Sequence, residues 1–261
     1  MVVIAAAGCE SAKFGGIAPG AEPMANVQVP GAIDLDAAGY AVHLDPTVML
    51  WGRDAKVDVR EVVREAVTRV ADDLHSPHAQ VSISAGGYRV IPDVGIGGST
   101  DTRTGEVLVS MDARSPLGLR TMLRTWLPLA LAHELHHSKR ILQGPGYGTT
   151  LLDTLIAEGG AEAFVRETYP NAPPIPWVQP PTKEDEQRVW REAARQLDRP
   201  DDAEMYERWF LGKGDLPRWT GYRLGYAIVT AYLERHPDAD AADVASLPSA
   251  EVFEQSGYEP S

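Results

Sequence analysis

Cysteine is almost missing from this sequence: Cys9 is the only one in 261 residues. A lone thiol excludes an internal disulfide framework and any zinc site built on cysteine, so a metal would have to sit among histidine and carboxylate. Long apolar runs are missing too, since no stretch reaches the ~18 apolar residues that a membrane-crossing helix needs. Positive charge is scarce. Against 37 Asp and Glu stand 24 Lys and Arg, a net charge of −13 that repels polyanions and argues against nucleic acid or an anionic lipid surface as a partner. The acid excess serves solubility, or gives a cleft a preference for basic substrates. No internal repeat of 20–50 residues is found. What is present, with 44% hydrophobic residues, suffices for one good-sized domain or two small lobes sharing a cleft.

The first 39 residues differ from the rest. Residues 1–9 end in Ala6-Ala7-Gly8-Cys9, which looks like the cleavage box of a bacterial lipoprotein with Cys9 as the lipidated residue. Yet no Lys or Arg precedes Lys13, and the apolar stretch before Cys9 is short for a secretory signal. Two readings stand: an extracytoplasmic lipoprotein anchored to the membrane through Cys9, its start assigned too far downstream, or a cytoplasmic chain with a disordered N-terminus. Residues 10–31, rich in Gly, Ala and Pro, read as a flexible tether. The folded domain is expected over 40–261, with a sheet-containing lobe at about 40–143 and a helical lobe at about 144–261.

Within that domain, residues 41–51 read as a strand and 57–74 as an amphipathic helix, its apolar stripe running through Val59, Val62, Val63, Ala66, Val70 and Leu74. Residues 81–84 and 88–91 are short strand candidates, with Ala85-Gly86-Gly87 as a hairpin turn between them. A glycine-rich loop over 95–105 leads into a strand at 106–111, which as a sheet edge could take a peptide by strand addition. Ser115-Pro116 opens a helical pattern that runs to Leu142, and Pro128 predicts that a second helix starts at about Leu127. Further helices are expected at 150–168, capped by Thr150 with Asp153, and at 183–197, 201–210, 220–235 and 249–255. Residues 169–182, with six prolines, predict an extended crossing.

The chemistry concentrates in Ala132-His133-Glu134-Leu135-His136-His137, an H-E-x-x-H pattern on the predicted helix. Positions i and i+4 share a helix face, so His133 and His137 can offer imidazole nitrogens to one metal ion. Glu134 lies beside them, placed to act as general base on water without being a ligand. His136 lies round the helix and is given no ligand role. On the next helix Leu151, Leu155, Glu158, Glu162 and Val165 follow one stripe, so two carboxylates share an otherwise apolar face. Carboxylates buried there need partners. Glu158 is the natural third ligand, 21 residues after His137, and Glu162, one turn on, can accept the N–H of a ligand histidine. Gly159-Gly160 permit close approach to the motif helix. The set predicts Zn2+ as cofactor and hydrolysis of a peptide or protein substrate. Tyr222 and Tyr226, with Tyr147 behind them, are the candidate donors to the oxyanion.

The H-E-L-H-H segment, the later Glu158-Gly159-Gly160-Ala161-Glu162 and the segment Gly221-Tyr222-Arg223-Leu224-Gly225-Tyr226 together resemble a family of predicted zinc-dependent proteases described as YjaZ-like and of gluzincin type. The resemblance covers roughly residues 42–233. It implies an α+β, zincin-like fold: a small mixed sheet whose edge strand lines the cleft over the active-site helix, with a mainly helical C-terminal lobe. It also implies His133, His137 and Glu158 as ligands and Glu134 as base, with weaker support for Tyr222. Many relatives carry an aromatic where this chain has Leu135, a difference that touches packing alone. The other reading of the same residues is a catalytically inactive metal-binding protein of that fold, a surface lipoprotein or binding module.

Overall fold

The computed structural model describes residues 33–74, 79–86 and 90–260, so Cys9 and the expected tether lie outside the described residues. One mixed sheet carries five strands: β1 (Ile33–Ala37), β2 (Tyr40–Leu44), β3 (Gln80–Ala85), β4 (Ile96–Thr100) and β5 (Val107–Met111). Their order is β1-β2-β3-β5-β4. The inner strands β2, β3 and β5 run parallel, while β1 and β4 close the two edges antiparallel.

The crossover from β2 to β3 is made by α1 (Pro46–Ala55) and α2 (Val59–Leu74). Val59, Val63, Ala66, Val67, Val70 and Leu74 of α2 are buried, and each large aliphatic side chain so covered contributes about 1.5–3 kcal/mol. After β5 come the one-turn α3 (Gly118–Thr121), a π-helical turn over Met122–Trp126, and α4 (Leu127–Gln143), which carries the two-histidine motif. The helical half continues with α5 (Leu151–Thr168), α6 (Lys183–Ala193), α7 (Ala203–Trp209), α8 (Thr220–Arg235), α9 (Ala241–Val244) and α10 (Ser249–Ser256). Thr150 caps α5 in the expected capping box with Asp153. Arg140, fully buried, donates to the carbonyls of Val244 and Leu247 and to Ser249 Oγ, which ties α4 to the C-terminal helices. Among the described residues no helix is long and apolar enough to cross a membrane.

Several expectations give way. Residues 46–55 are helix rather than strand: Asp45 accepts from Thr47 N and Pro46 sits in the first turn, a local start signal that the apolar run hides. The sheet begins at Ile33, inside the segment expected to be linker, because β1 pairs with β2 through a tight turn at Ala38 and Gly39. The hairpin at 85–87 is absent from the described residues: β3 pairs in parallel with β2 and β5, Ile91 makes only a bridge to Ile96, and Tyr88 lies outside the described residues. The glycine-rich stretch expected as a loop holds strand β4, and β4, not 106–111, is the sheet edge next to the motif helix. Of the two adjacent glycines, only Gly160 makes room for α4, its missing Cβ lying 2.9 Å from the His136 ring; Gly159 instead lets the backbone of Gly225 on α8 approach.

Candidate metal centre

α4 and α5 lie side by side, and the facing stripes put His133, His137 and Glu158 together. His133 Nε2 is 3.0 Å from His137 Nε2 and 3.2 Å from Glu158 Oε2, and His137 Nε2 is 3.5 Å from that same oxygen. Zinc bonds of about 2.0–2.1 Å in a tetrahedron require ligand atoms about 3.3–3.4 Å apart, so the triangle has the right size for one ion. The donors also lack other employment. Glu158 Oε2 is buried, and its near neighbours are the two ring nitrogens, at 3.2 and 3.5 Å. Two ring nitrogens aimed at each other and at an orphaned carboxylate oxygen fit a cation at their common centre. All three residues are 2% exposed or less.

The neighbours orient these groups. Glu162 Oε1 lies 3.0 Å from His133 Nδ1, which fixes the tautomer that leaves Nε2 free for a metal. That oxygen also accepts from Trp177 Nε1 at 2.6 Å, so the proline-rich crossing packs onto the site through Trp177. Trp177 sits between Trp126 and Trp219, and a small cavity beside His133 is walled by Trp126 and Trp177. Tyr147 donates its hydroxyl to Glu158 Oε1 at 2.7 Å and meets the His137 ring edge-on.

Glu134 stays outside the ligand triangle. Its Oε2 accepts from Thr100 Oγ1 on β4 at 2.7 Å, while Oε1 is buried with no partner. Only a glycine fits at position 98, because a Cβ there would lie 2.5 Å from the Glu134 carboxylate.

Electrostatics mark the triangle as a place that calls for positive charge. Burial by itself lowers the His133 pKa, but Glu158 and Glu162 on either side of the ring outweigh it and hold it well above the usual histidine value. Burial raises Glu158, yet His137 and His133 prevail and hold it well below the usual carboxylate range. Burial lowers His137. Glu134 is pushed by burial up to about 7, against the pull of His133 and Thr100.

The tyrosines named from sequence separate. Tyr222 is fully buried, 3.1 Å by hydroxyl from Tyr206 on α7, whose ring stacks on Phe210. Tyr226 lines a groove between α6 and α8, away from the triangle. Tyr147 alone of the three touches a ligand. Sequence reasoning missed Thr100, Trp177 and Tyr206; the first was hidden by a strand mistaken for a loop, and the others carry no spacing signal relative to the motif.

Comparison with known proteins agrees with this geometry. Residues 61–254 match a family model described as "Predicted Zn-dependent protease (DUF2268)". Over 126 residues the chain is 35% identical to "Uncharacterized protein YjaZ" of Bacillus subtilis (strain 168), covering 47% of this chain and 48% of that protein. The match thus spans about half the length of that curated relative.

Proposed function

Because the chain belongs to this family of predicted Zn-dependent proteases, we propose that it is a zinc metallopeptidase of zincin-like fold, with His133, His137 and Glu158 holding the ion. The observation that carries the reading is the buried triangle of two Nε2 atoms and an orphaned Oε2, with Glu134 beside it and not in it. When bound there, zinc supplies Lewis acidity, acidifying water and polarising a peptide carbonyl. Glu134 Oε1, which has no partner, takes the proton of the attacking water and passes it to the leaving nitrogen, while Thr100 holds Oε2 in place. Tyr222, whose hydroxyl is paired with that of Tyr206, is the proposed donor to the developing oxyanion.

Substrate positioning falls to β4. The register pairs Gly97 with Ser110 and Ser99 with Leu108, and Asp112 N and Asp101 N complete the same ladder. The backbone groups of Ile96, Gly98 and Thr100 therefore face away from β5. Ile91 N takes the Ile96 carbonyl and Thr100 is fully buried, so Gly98 is the position at which an extended peptide would meet the sheet beside Glu134.

The near-complete burial of the ligands favours a second reading, a protein that holds zinc without turning over peptide. Metal analysis combined with turnover of a peptide library separates the two. Glu134→Gln should keep zinc and lose cleavage, whereas Glu158→Ala should lose the metal. Zinc without cleavage in the wild type supports the binder, and full zinc content in Glu158→Ala overturns the ligand set.

A further inference from the structure

A second concavity lies between α6 and α8, lined by none of the three metal-site residues or Glu134. Its volume is about 640 Å3, within the range of small-molecule sites. One wall is a continuous face of α8, in which Arg223, Leu224, Ala227, Ala231 and Glu234 recur at helical spacing over about 16 Å. Val178, Val189 and the rings of Pro180, Pro181 and Pro217 complete a mostly apolar surface.

Two charges of the lining have no partner among the described residues, Arg223 and Glu234, which lie about 16 Å apart along α8 and so cannot pair with each other. Asp185 is held by Arg188 and Thr182, and Glu186 accepts the Tyr258 hydroxyl. Arg223 forms no ion pair among the described residues, and its Nε is buried with no hydrogen-bond partner. Burial, with no counter-ion beside it, depresses the guanidinium pKa. A buried guanidinium nitrogen without an acceptor, at the wall of an apolar groove, is half of a binding site for an anion.

We infer that this groove binds an aliphatic monocarboxylate of the medium-chain fatty acid class, with the carboxylate on Arg223 and the alkyl chain along the α8 face toward Ala231. A phosphate would bring two charges to one cation in a largely apolar setting and stay under-neutralised. An extended peptide fits less well. Its backbone N–H and C=O groups need partners, and this lining is made of helix faces whose backbone groups are bonded internally and of prolines that have no N–H. An alkyl chain has no such groups to satisfy.

The test is isothermal titration of the zinc-loaded full chain with dodecanoate below its micelle concentration, with dodecanol as the uncharged counterpart. Dodecanoate should bind saturably at one site and more tightly than dodecanol. Arg223→Gln should weaken dodecanoate by about 10-fold or more and leave dodecanol unchanged. Ala227→Trp, which fills the groove and keeps the cation, should weaken both. Zinc content and thermal transition report folding of each variant, and the comparison of dodecanoate with dodecanol needs no variant. Absence of saturable binding, equal affinity for the acid and the alcohol, or an Arg223→Gln variant that binds dodecanoate like the wild type overturns the inference. So does occupancy of the Arg223 site by inorganic phosphate or by an apolar peptide C-terminus in preference to dodecanoate.

Discussion

Tyr147 occupies Oε1 of Glu158 and so leaves Oε2 as the atom turned toward the two histidines. Removing the hydroxyl frees the carboxylate to rotate and leaves Oε1 buried and unmet. Tyr147→Phe is therefore expected to weaken zinc binding by about 10–100-fold without unfolding the protein, as competition with a chromophoric chelator would measure. A residue outside the ligand set but within electrostatic reach of Glu158 adds its own response to pH. Asp201, at the start of the α7 region, is pushed by burial up to about 6, against a hydrogen bond from Thr154. The folded pKa lies above the unfolded one, so the protonated side chain is favoured in the native state. The stability it confers is present below about pH 4 and is lost as pH rises through 6. After allowance for partial exposure the loss is about 1 kcal/mol. In chelator, Asp201→Asn should unfold at higher urea concentration than the wild type at pH 7, and the two should converge near pH 4.

Two elements make the site possible by what they omit. β4 passes the motif helix closely enough that Gly98 has no space for a methyl group against Glu134. Gly98→Ala should keep its zinc, because no ligand moves, and lose about 100-fold or more in kcat through displacement of the base. At the α5–α8 crossing a Cβ on Gly225 would lie 2.1 Å from the Leu155 carbonyl oxygen, a backbone atom that cannot swing aside. Gly225→Ala is expected to cost at least about 1–3 kcal/mol in a chemical denaturation curve. The π-helical turn before α4 reflects a third omission. Pro128 has no N–H and its ring crowds the carbonyl four residues back, and the wider Leu127 N to Met122 O turn absorbs the mismatch without breaking the helical path. The sequence pattern shows a proline in a helical run and suggests a second helix opening at about 127, whereas the helical path from Gly118 to Gln143 is continuous; the π turn that keeps it so was not legible, because it depends on α4 being held between β4 and α5.

At the scale of the whole molecule, the metal group joins α4 from the sheet-bearing half to α5 from the helical half. Zinc that binds only the folded chain adds about 4 kcal/mol at a free concentration 1000 times its Kd. Chelation should accordingly lower the calorimetric transition by about 10 °C, and a transition that does not move would place the ion elsewhere. The burial of α4 and α5 on all sides was not legible in their stripes, but of this arrangement the amino-acid sequence alone determined the helical spacing that puts His133 with His137 and Glu158 with Glu162, the cap at Thr150 and the H-E-x-x-H motif. These rest on the helical period and on local hydrogen bonds, which a few neighbouring residues specify. Only the tertiary structure decided that β4 and not β5 is the edge, that Thr100 holds Glu134, that Tyr147 serves Glu158 while Tyr226 faces another groove, and that Trp177 reaches Glu162. Strand order and contacts between distant elements come from burying several surfaces at once, and no local spacing encodes which surface meets which.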